Sequence, residues 1–321
     1  MTPPSPPHPS VEVAAPSRLH LGFLDMEGGL GRKFASLGIT LDGPKTHLTA
    51  SPASTTTVSG PSSERAFKVL DRLRRELGLD LPVALAIHDA IPEHVGLGSG
   101  TQMSLAVGVA LSRLAGKDTS ARQIANVLDR GARSGIGIAG FEAGGVILDG
   151  GRGKGTDVPP VLARLDFPED WRIVLVSDPS FQGLSGTAEV EGFKTLPPFP
   201  AELAGRLCRL MIMRILPALA ERDLTIFGSG VTELQSIMGD HFAASQGGRF
   251  TSPNVAEVLS WFQAQGVQGI GQSSWGPTGF ALIPSQIEAE NLLRKAREGR
   301  YSCASLTLCR GLNTGGTVTL R

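Results

Sequence analysis

Residues 91–116, IPEHVGLGSGTQMSLAVGVALSRLAG, limit the possible folds more than any other stretch of the chain. Upstream, Val83, Leu85 and Ile87 alternate as in a β-strand, and downstream of the glycines an apolar helix is expected. Between them stands Gly96-Leu97-Gly98-Ser99-Gly100-Thr101. A glycine loop at a strand-to-helix junction gathers the free N–H groups and the positive dipole end of the helix, which makes it an anion site. Glycines admit phosphate oxygens close to the backbone, and the Ser99 and Thr101 hydroxyls suit phosphate or a bound Mg2+. An ordinary tight turn before a buried helix is the other reading. Pro92, four residues before Gly96, and the apolar helix favour phosphate.

A chain of 321 residues exceeds what one core fills, roughly 250–300 residues, so two domains are expected. Its 41 glycines and 22 prolines fall in short turns between apolar runs, the pattern of mixed α and β structure. Strands are expected at 11–24, broken at Pro16, and at 36–41, 83–87, 144–148, 172–176, 267–270 and 316–320. Helices are expected over 63–77, 120–132, within 201–220, and over 254–265 and 286–298. Glycine and proline cluster at 150–160, which divides the chain into a disordered proline-rich tail at 1–10 and domains at 11–155 and 156–321. Lys+Arg and Asp+Glu are both 30, so no net field draws the chain to nucleic acid or anionic lipid. No apolar run reaches the ~20 residues of a membrane span, and the opening MTPPSPPHPS is no secretory signal. Cys208, Cys303 and Cys309 are an odd set without paired spacing, which argues against a disulfide framework or a structural zinc and for a reducing cytoplasm.

Pro92 with Gly96-Leu97-Gly98-Ser99-Gly100 resembles the phosphate-loop motif of the superfamily of galactokinase, homoserine kinase, mevalonate kinase and phosphomevalonate kinase. Ser134-Gly135-Ile136-Gly137 followed by Gly144-Gly145, and the loop Gly271–Gly279, supply that superfamily's other two landmarks in order. The resemblance implies an α+β, GHMP-kinase-like fold of two domains, a ribosomal-S5-like N-terminal one and a ferredoxin-like C-terminal one. In those kinases the place of Gly137 is usually an aspartate near the hydroxyl to be phosphorylated, and glycine can neither accept a proton nor bind a metal.

Within the superfamily the chain resembles the β-ribofuranosylaminobenzene 5′-phosphate synthase family, which is not a kinase. The residues that carry this are PSRLHLGFLDMEGGLGR at 16–32, GLGSGTQ at 96–102, RSGIGIAGFEAGGVILDGG at 133–151 and GQSSWGPTGF at 271–280. The resemblance implies condensation of 4-aminobenzoate with 5-phosphoribosyl diphosphate, releasing CO2 and diphosphate, in methanopterin biosynthesis, with Mg2+ as cofactor and a homodimer as the assembly. The balanced charge, by contrast, is what speaks against a nucleic-acid or membrane partner.

That reaction assigns roles. Gly96, Gly98, Ser99, Gly100, Thr101 and Gln102 are expected to hold the departing diphosphate, with Ser99 and Glu142 as candidate Mg2+ ligands. Asp25 is expected beside the oxocarbenium-like sugar, its other reading being a turn cap. Arg18, Arg32 and Arg133 are candidates for bidentate contacts to carboxylate or phosphate, with Ser134 beside Arg133 and Arg32 grouped with Asp25 in catalysis. His20 is either a structural histidine or a substrate contact and proton shuttle. Gln272, Ser273 and Ser274 offer polar groups, and Trp275 a flat face for the benzoate ring, or else a core tryptophan. Two further classes stand against the synthase: an ATP-dependent small-molecule kinase using Glu142 or Asp149 in place of the lost aspartate, and a ligand-binding relative without turnover. Sequence does not separate 4-aminobenzoate from 4-hydroxybenzoate.

Overall fold

The computed structural model describes residues 10–181, 183, 186–299, 301 and 304–321. The proline-rich tail, Ser10 apart, and Cys303 lie outside the described residues. In chain order the elements are β1 (Val11–Asp25), β2 (Arg32–Pro52), β3 (Thr57–Ser59), α1 (Ser63–Leu77), β4 (Val83–Asp89), α2 (Ser99–Leu114), α3 (Ala121–Val127), α4 (Ile136–Ala143), β5 (Val146–Asp149), β6 (Arg152–Gly153), β7 (Val161–Leu165) and β8 (Arg172–Ser177). There follow α5 (Gly186–Thr195), α6 (Ala201–Leu210), a π-helical turn at Met211–Ile215, α7 (Leu216–Ala220), α8 (Leu224–Gln246), α9 (Pro253–Ala264), β9 (Gly269–Gln272), β10 (Gly279–Ile283), α10 (Gln286–Glu298), β11 (Ser305–Cys309) and β12 (Thr317–Leu320).

Two sheets organise these elements. The first runs β12-β1-β2-β4-β3, with β5 and β6 also on β2 and β7 on β5; the second is β11-β8-β10-β9, antiparallel throughout. β1 and β2 pair from Val11↔Ala50 to Asp25↔Phe34. Pro16 does not break β1; the ladder instead shifts register between Pro16 and Arg18 and again between His20 and Gly22, which bends the hairpin over the second half of the molecule. The SGIG segment, for which no helix was expected, opens α4, and the helix expected over 120–132 ends at Val127. The division at 155/156 is crossed by strand pairing: β7 joins β5, and β12 returns to the edge of β1.

Side-chain caps set several helix starts. Ser120 and Gln123 form a capping box on α3, while Asp223, Ser252 and Ser285 accept the N–H groups of Ile226, Val255 and Glu288. Under the first sheet, α1, α2 and α3 bury Leu70, Leu73, Leu105, Val107, Leu111 and Ile124 against Leu48, Leu85 and Ile87. A second apolar cluster covers the second sheet with α9 and α10. The third spans both halves: Leu19, Leu21 and Leu37 pack in one cluster with Trp171, Phe227, Leu234, Trp275 and Phe280. This shared core fixes the landmark loops of the two halves against each other.

Candidate active site

Helix α2 begins at Gly98, whose φ of 88° only glycine adopts readily, and no side chain caps its first turn. Two arginines that the sequence did not single out stand over these N–H groups. Arg65 of α1 donates from Nη1 to Ser99 Oγ at 3.2 Å and pairs with Glu93 at 3.3 Å. Arg130 donates from Nε to Ser104 Oγ at 3.1 Å, and a Cβ on Gly100 would lie 3.4 Å from its Nη1. Burial, and then the neighbouring charges of Arg65 and Arg72, lower the pKa of Arg130. Cations beside an uncapped helix start can hold an anion.

The C-terminal glycine loop locks onto this loop. Ser273 Oγ accepts from His20 N at 3.0 Å and donates to Gly96 O at 2.8 Å. Ser274 N donates to His20 O at 3.2 Å, and Arg18 donates to Gly96 O from Nη1 while its own N–H reaches Leu97 O at 3.1 Å. Gln272 is braced rather than presented: Oε1 accepts from Thr251 N at 2.7 Å, and Nε2 donates to Ser274 O at 3.1 Å. His20 is buried, and burial together with the charges of Arg18 and Arg133 pushes its pKa down to about 3, so the ring is neutral near pH 7. Its Nε2 has no hydrogen-bond partner. Trp275 is buried too, with Phe193 of α5 stacked on its face.

The remaining candidates divide. Arg133 lies over the ring of Phe193 and close enough to His20 to bias its charge, so it belongs with the Trp275 end of the site. Asp25 sits at the end of β1, where Oδ1 accepts the N–H groups of Glu27 and Gly28 at 2.8 and 2.9 Å, the geometry of a turn cap. Arg32 donates from Nε and Nη2 to the carbonyls of Gly150 and Gly151 at 2.8 and 2.9 Å. Ser134 Oγ takes part in a buried hub around Asp149, whose oxygens accept from Ser36 Oγ at 2.6 Å, Gly135 N at 2.8 Å and Gly151 N at 2.9 Å. Burial raises the pKa of Asp149 despite these donors.

Gly137 packs on the first turn of α2. A Cβ there would stand 3.2 Å from Thr101 Cγ2, and Gln102 Nε2 donates to Gly137 O at 2.7 Å. Glu142, five residues on, pairs with Arg122 of α3 at 3.1 Å, so its described contact lies away from the glycine loop. Among the described residues no group of three or more His, Cys, Asp or Glu is placed to hold a metal ion. Of the two candidate Mg2+ ligands, Ser99 is engaged by Arg65 and Glu142 by Arg122.

Models of known families match this chain twice: the GHMP kinases N terminal domain over residues 64–160 and the GHMP kinases C terminal domain over 215–301. A β-ribofuranosylphenol 5′-phosphate synthase of Archaeoglobus fulgidus is 35% identical over 92% of this chain and 96% of its own. The synthase of the same name from Methanothermobacter thermautotrophicus is 32% identical over 84% and 88%. The chain belongs to this family of synthases. It is an enzyme, and it has the fold that those synthases share with the GHMP kinases. Mevalonate-3-kinase of Thermoplasma acidophilum superposes with a TM-score of 0.68 at 14% identity, covering 97% of this chain and 99% of the other. Homoserine kinase of Cytophaga hutchinsonii gives 0.61 at 16%, covering 97% of each. No helix among the described residues is long and apolar enough to cross a membrane.

Proposed function

We propose that this synthase transfers the 5-phosphoribosyl group from its diphosphate to the ring carbon of a para-substituted benzoate, 4-aminobenzoate or 4-hydroxybenzoate, with loss of CO2. One observation carries the reading: the first turn of α2 is uncapped with Arg65 and Arg130 beside it, while the place of the kinase carboxylate is Gly137, packed against Thr101 and Gln102. The relatives are named for a ribofuranosylphenol 5′-phosphate, and a product that is still a phenol has its ribose on a ring carbon.

In this reading the diphosphate lies on the first turn of α2, where N–H groups, Ser99, Arg65 and Arg130 meet the charge that builds as the C1–O bond breaks. The ring carbon bearing the carboxylate attacks C1, a new C–C bond forms, and the electrons of the C–CO2 bond return to the ring as CO2 leaves. No net proton is moved, which suits a neutral His20. Mg2+, when bound, would accompany the diphosphate beside Ser99 and offset part of its charge. Asp149 is fully buried with its oxygens turned onto Ser36, Gly135 and Gly151, which argues against its replacing the kinase aspartate.

Incubation with Mg2+, 5-phosphoribosyl diphosphate and carboxyl-labelled 4-aminobenzoate or 4-hydroxybenzoate tests this, with ATP consumption read in parallel. Label release that needs the diphosphate donor and no ATP is expected. Absence of release together with ATP turnover on a small alcohol would overturn the synthase reading in favour of a kinase.

A further inference from the structure

Phe193 lies parallel to the indole of Trp275, with ring centroids 4.6 Å apart and an angle of 9°. The guanidinium carbon of Arg133 stands 4.4 Å from the centroid of the same phenylalanine ring. Since Trp275 already fills one face, Arg133 must cover the other, and Phe193 is sandwiched between a cation and a flat aromatic surface. The rings of Phe242 and Phe23 approach it at 5.9 and 6.3 Å. Two polar atoms in this nest are buried without a hydrogen-bond partner: Trp275 Nε1 and His20 Nε2, the His20 ring packing edge-on to Phe23. A neutral phenyl ring leaves both unsatisfied, and a buried polar atom without a partner is unfavourable.

We propose that the space held by Phe193 is the binding slot for the aromatic acid, and that Phe193 is a resident occupant which the acid displaces. A benzoate ring replaces the phenyl ring on Trp275 at nearly equal apolar burial. Its carboxylate and para substituent add what a phenylalanine lacks: a negative charge in the field of Arg18 and Arg133, and a polar group for the unpartnered Nε2 of His20. The Trp275 loop is tied to the α2 loop by the bond from Ser273 Oγ to Gly96 O, which links the slot to the glycine loop. This inference rests on the reading of the enzyme as one that uses an aromatic acid, and it adds that the free protein competes with its own substrate. Competition of this kind weakens apparent affinity by the fraction of molecules whose slot is open.

The test is equilibrium binding of 4-aminobenzoate and 4-hydroxybenzoate to the full chain without phosphoribosyl diphosphate, by calorimetry. For Phe193→Ala the slot is vacated, and affinity for either acid should rise by about tenfold or more, corresponding to an occupied fraction of 90% or above in the parent. A residue that merely contacts the acid or supports the fold gives the opposite sign, so unchanged or weaker binding by a folded Phe193→Ala protein overturns the proposal. Should that variant not fold, the parent protein decides. Saturation with the acid should change the near-ultraviolet circular dichroism assigned to Trp275 by comparison with Trp275→Phe, whereas cyclohexanecarboxylate and benzamide should bind at least about tenfold more weakly. Equal binding of cyclohexanecarboxylate would sink the slot. Failure of the synthase reading is a separate result: tight acid binding without CO2 release removes the reaction and leaves the slot, while CO2 release with Phe193→Ala affinity unchanged does the reverse.

Discussion

At the scale of single residues, His20 shows how the site is held at the cost of stability. Its ring is buried beside Arg18 and Arg133, and burial, the larger cause, works with those charges to lower its pKa from 6.5 to about 3. In the unfolded chain His20 takes a proton as pH falls below about 6.5, and in the folded protein it does not until about pH 3. The unfolded state therefore binds the extra proton, and stability is lost as pH falls from 6.5 towards 3, by roughly 1 kcal/mol for each pH unit. Asp149 works the other way: its raised pKa means that the folded protein takes up its proton first, which restores some stability on acidification. The His20 contribution is isolated by comparison with His20→Asn. Urea midpoints measured from pH 7 to pH 4 should fall more steeply for the parent than for the variant, and parallel slopes would mean that His20 is accessible to protons. Asp25 and Arg32 give a different lesson. Their backbone contacts, a turn cap and a pair of carbonyls, shape the loop between β1 and β2, and sequence alone could not tell such a role from direct contact with substrate.

At the scale of elements, the glycine loop before α2 was legible because everything it needs is local: a strand before it, glycines with positive φ, and a helix after it. Arg65 and Arg130 were not legible, since one is a charge on an amphipathic helix and the other follows α3, and only packing of α1 and α2 brings them together. α4 was missed for a related reason: IGIAGFEA is poor in helix formers, yet its glycines allow the close approach of Thr101 and Thr40 that sets it in place. The arginine cluster makes a prediction with two signs. Replacing Arg130 by Met keeps the apolar stem and removes a cation that Arg65 and Arg72 repel, so the melting temperature without ligand should hold or rise. Diphosphate affinity should fall by about tenfold or more, the worth of a hydrogen bond to a charged group. Calorimetric titration with inorganic diphosphate beside thermal unfolding checks both, and a fall in stability with affinity unchanged would make Arg130 a structural residue.

For the whole molecule, the two halves behave as one body because a single apolar cluster runs from Leu19 and Leu37 to Trp171, Phe227 and Trp275, and because β12 returns to pair with β1. Composition pointed to a boundary near residue 155 but carried no sign of that return, since pairing between distant strands leaves no local pattern. Gly96 is, with Gly276, among the tightest points of the seam. Its φ is 86°, and a Cβ there would lie 2.2 Å from Ser273 O and 3.0 Å from the Cα of Gly276, both backbone atoms that no rotamer change can move. Gly96→Ala must therefore separate the two loops or strain both, and left-handed backbone and overpacking together cost about 3 kcal/mol or more, while Ser273→Ala loses the hydroxyl bonds to His20 N and Gly96 O, about 2 kcal/mol in all. Unfolding followed by far-ultraviolet circular dichroism and by tryptophan fluorescence should stay a single transition in both variants, because Trp171 and Trp275 sit in the shared core. The Gly96→Ala midpoint should be the lower of the two, and its diphosphate affinity should drop as the α2 loop loses its backing. A Gly96→Ala protein as stable as the parent would mean that the loops are not in contact, and two separate transitions would mean that the halves are independent domains joined only by the chain.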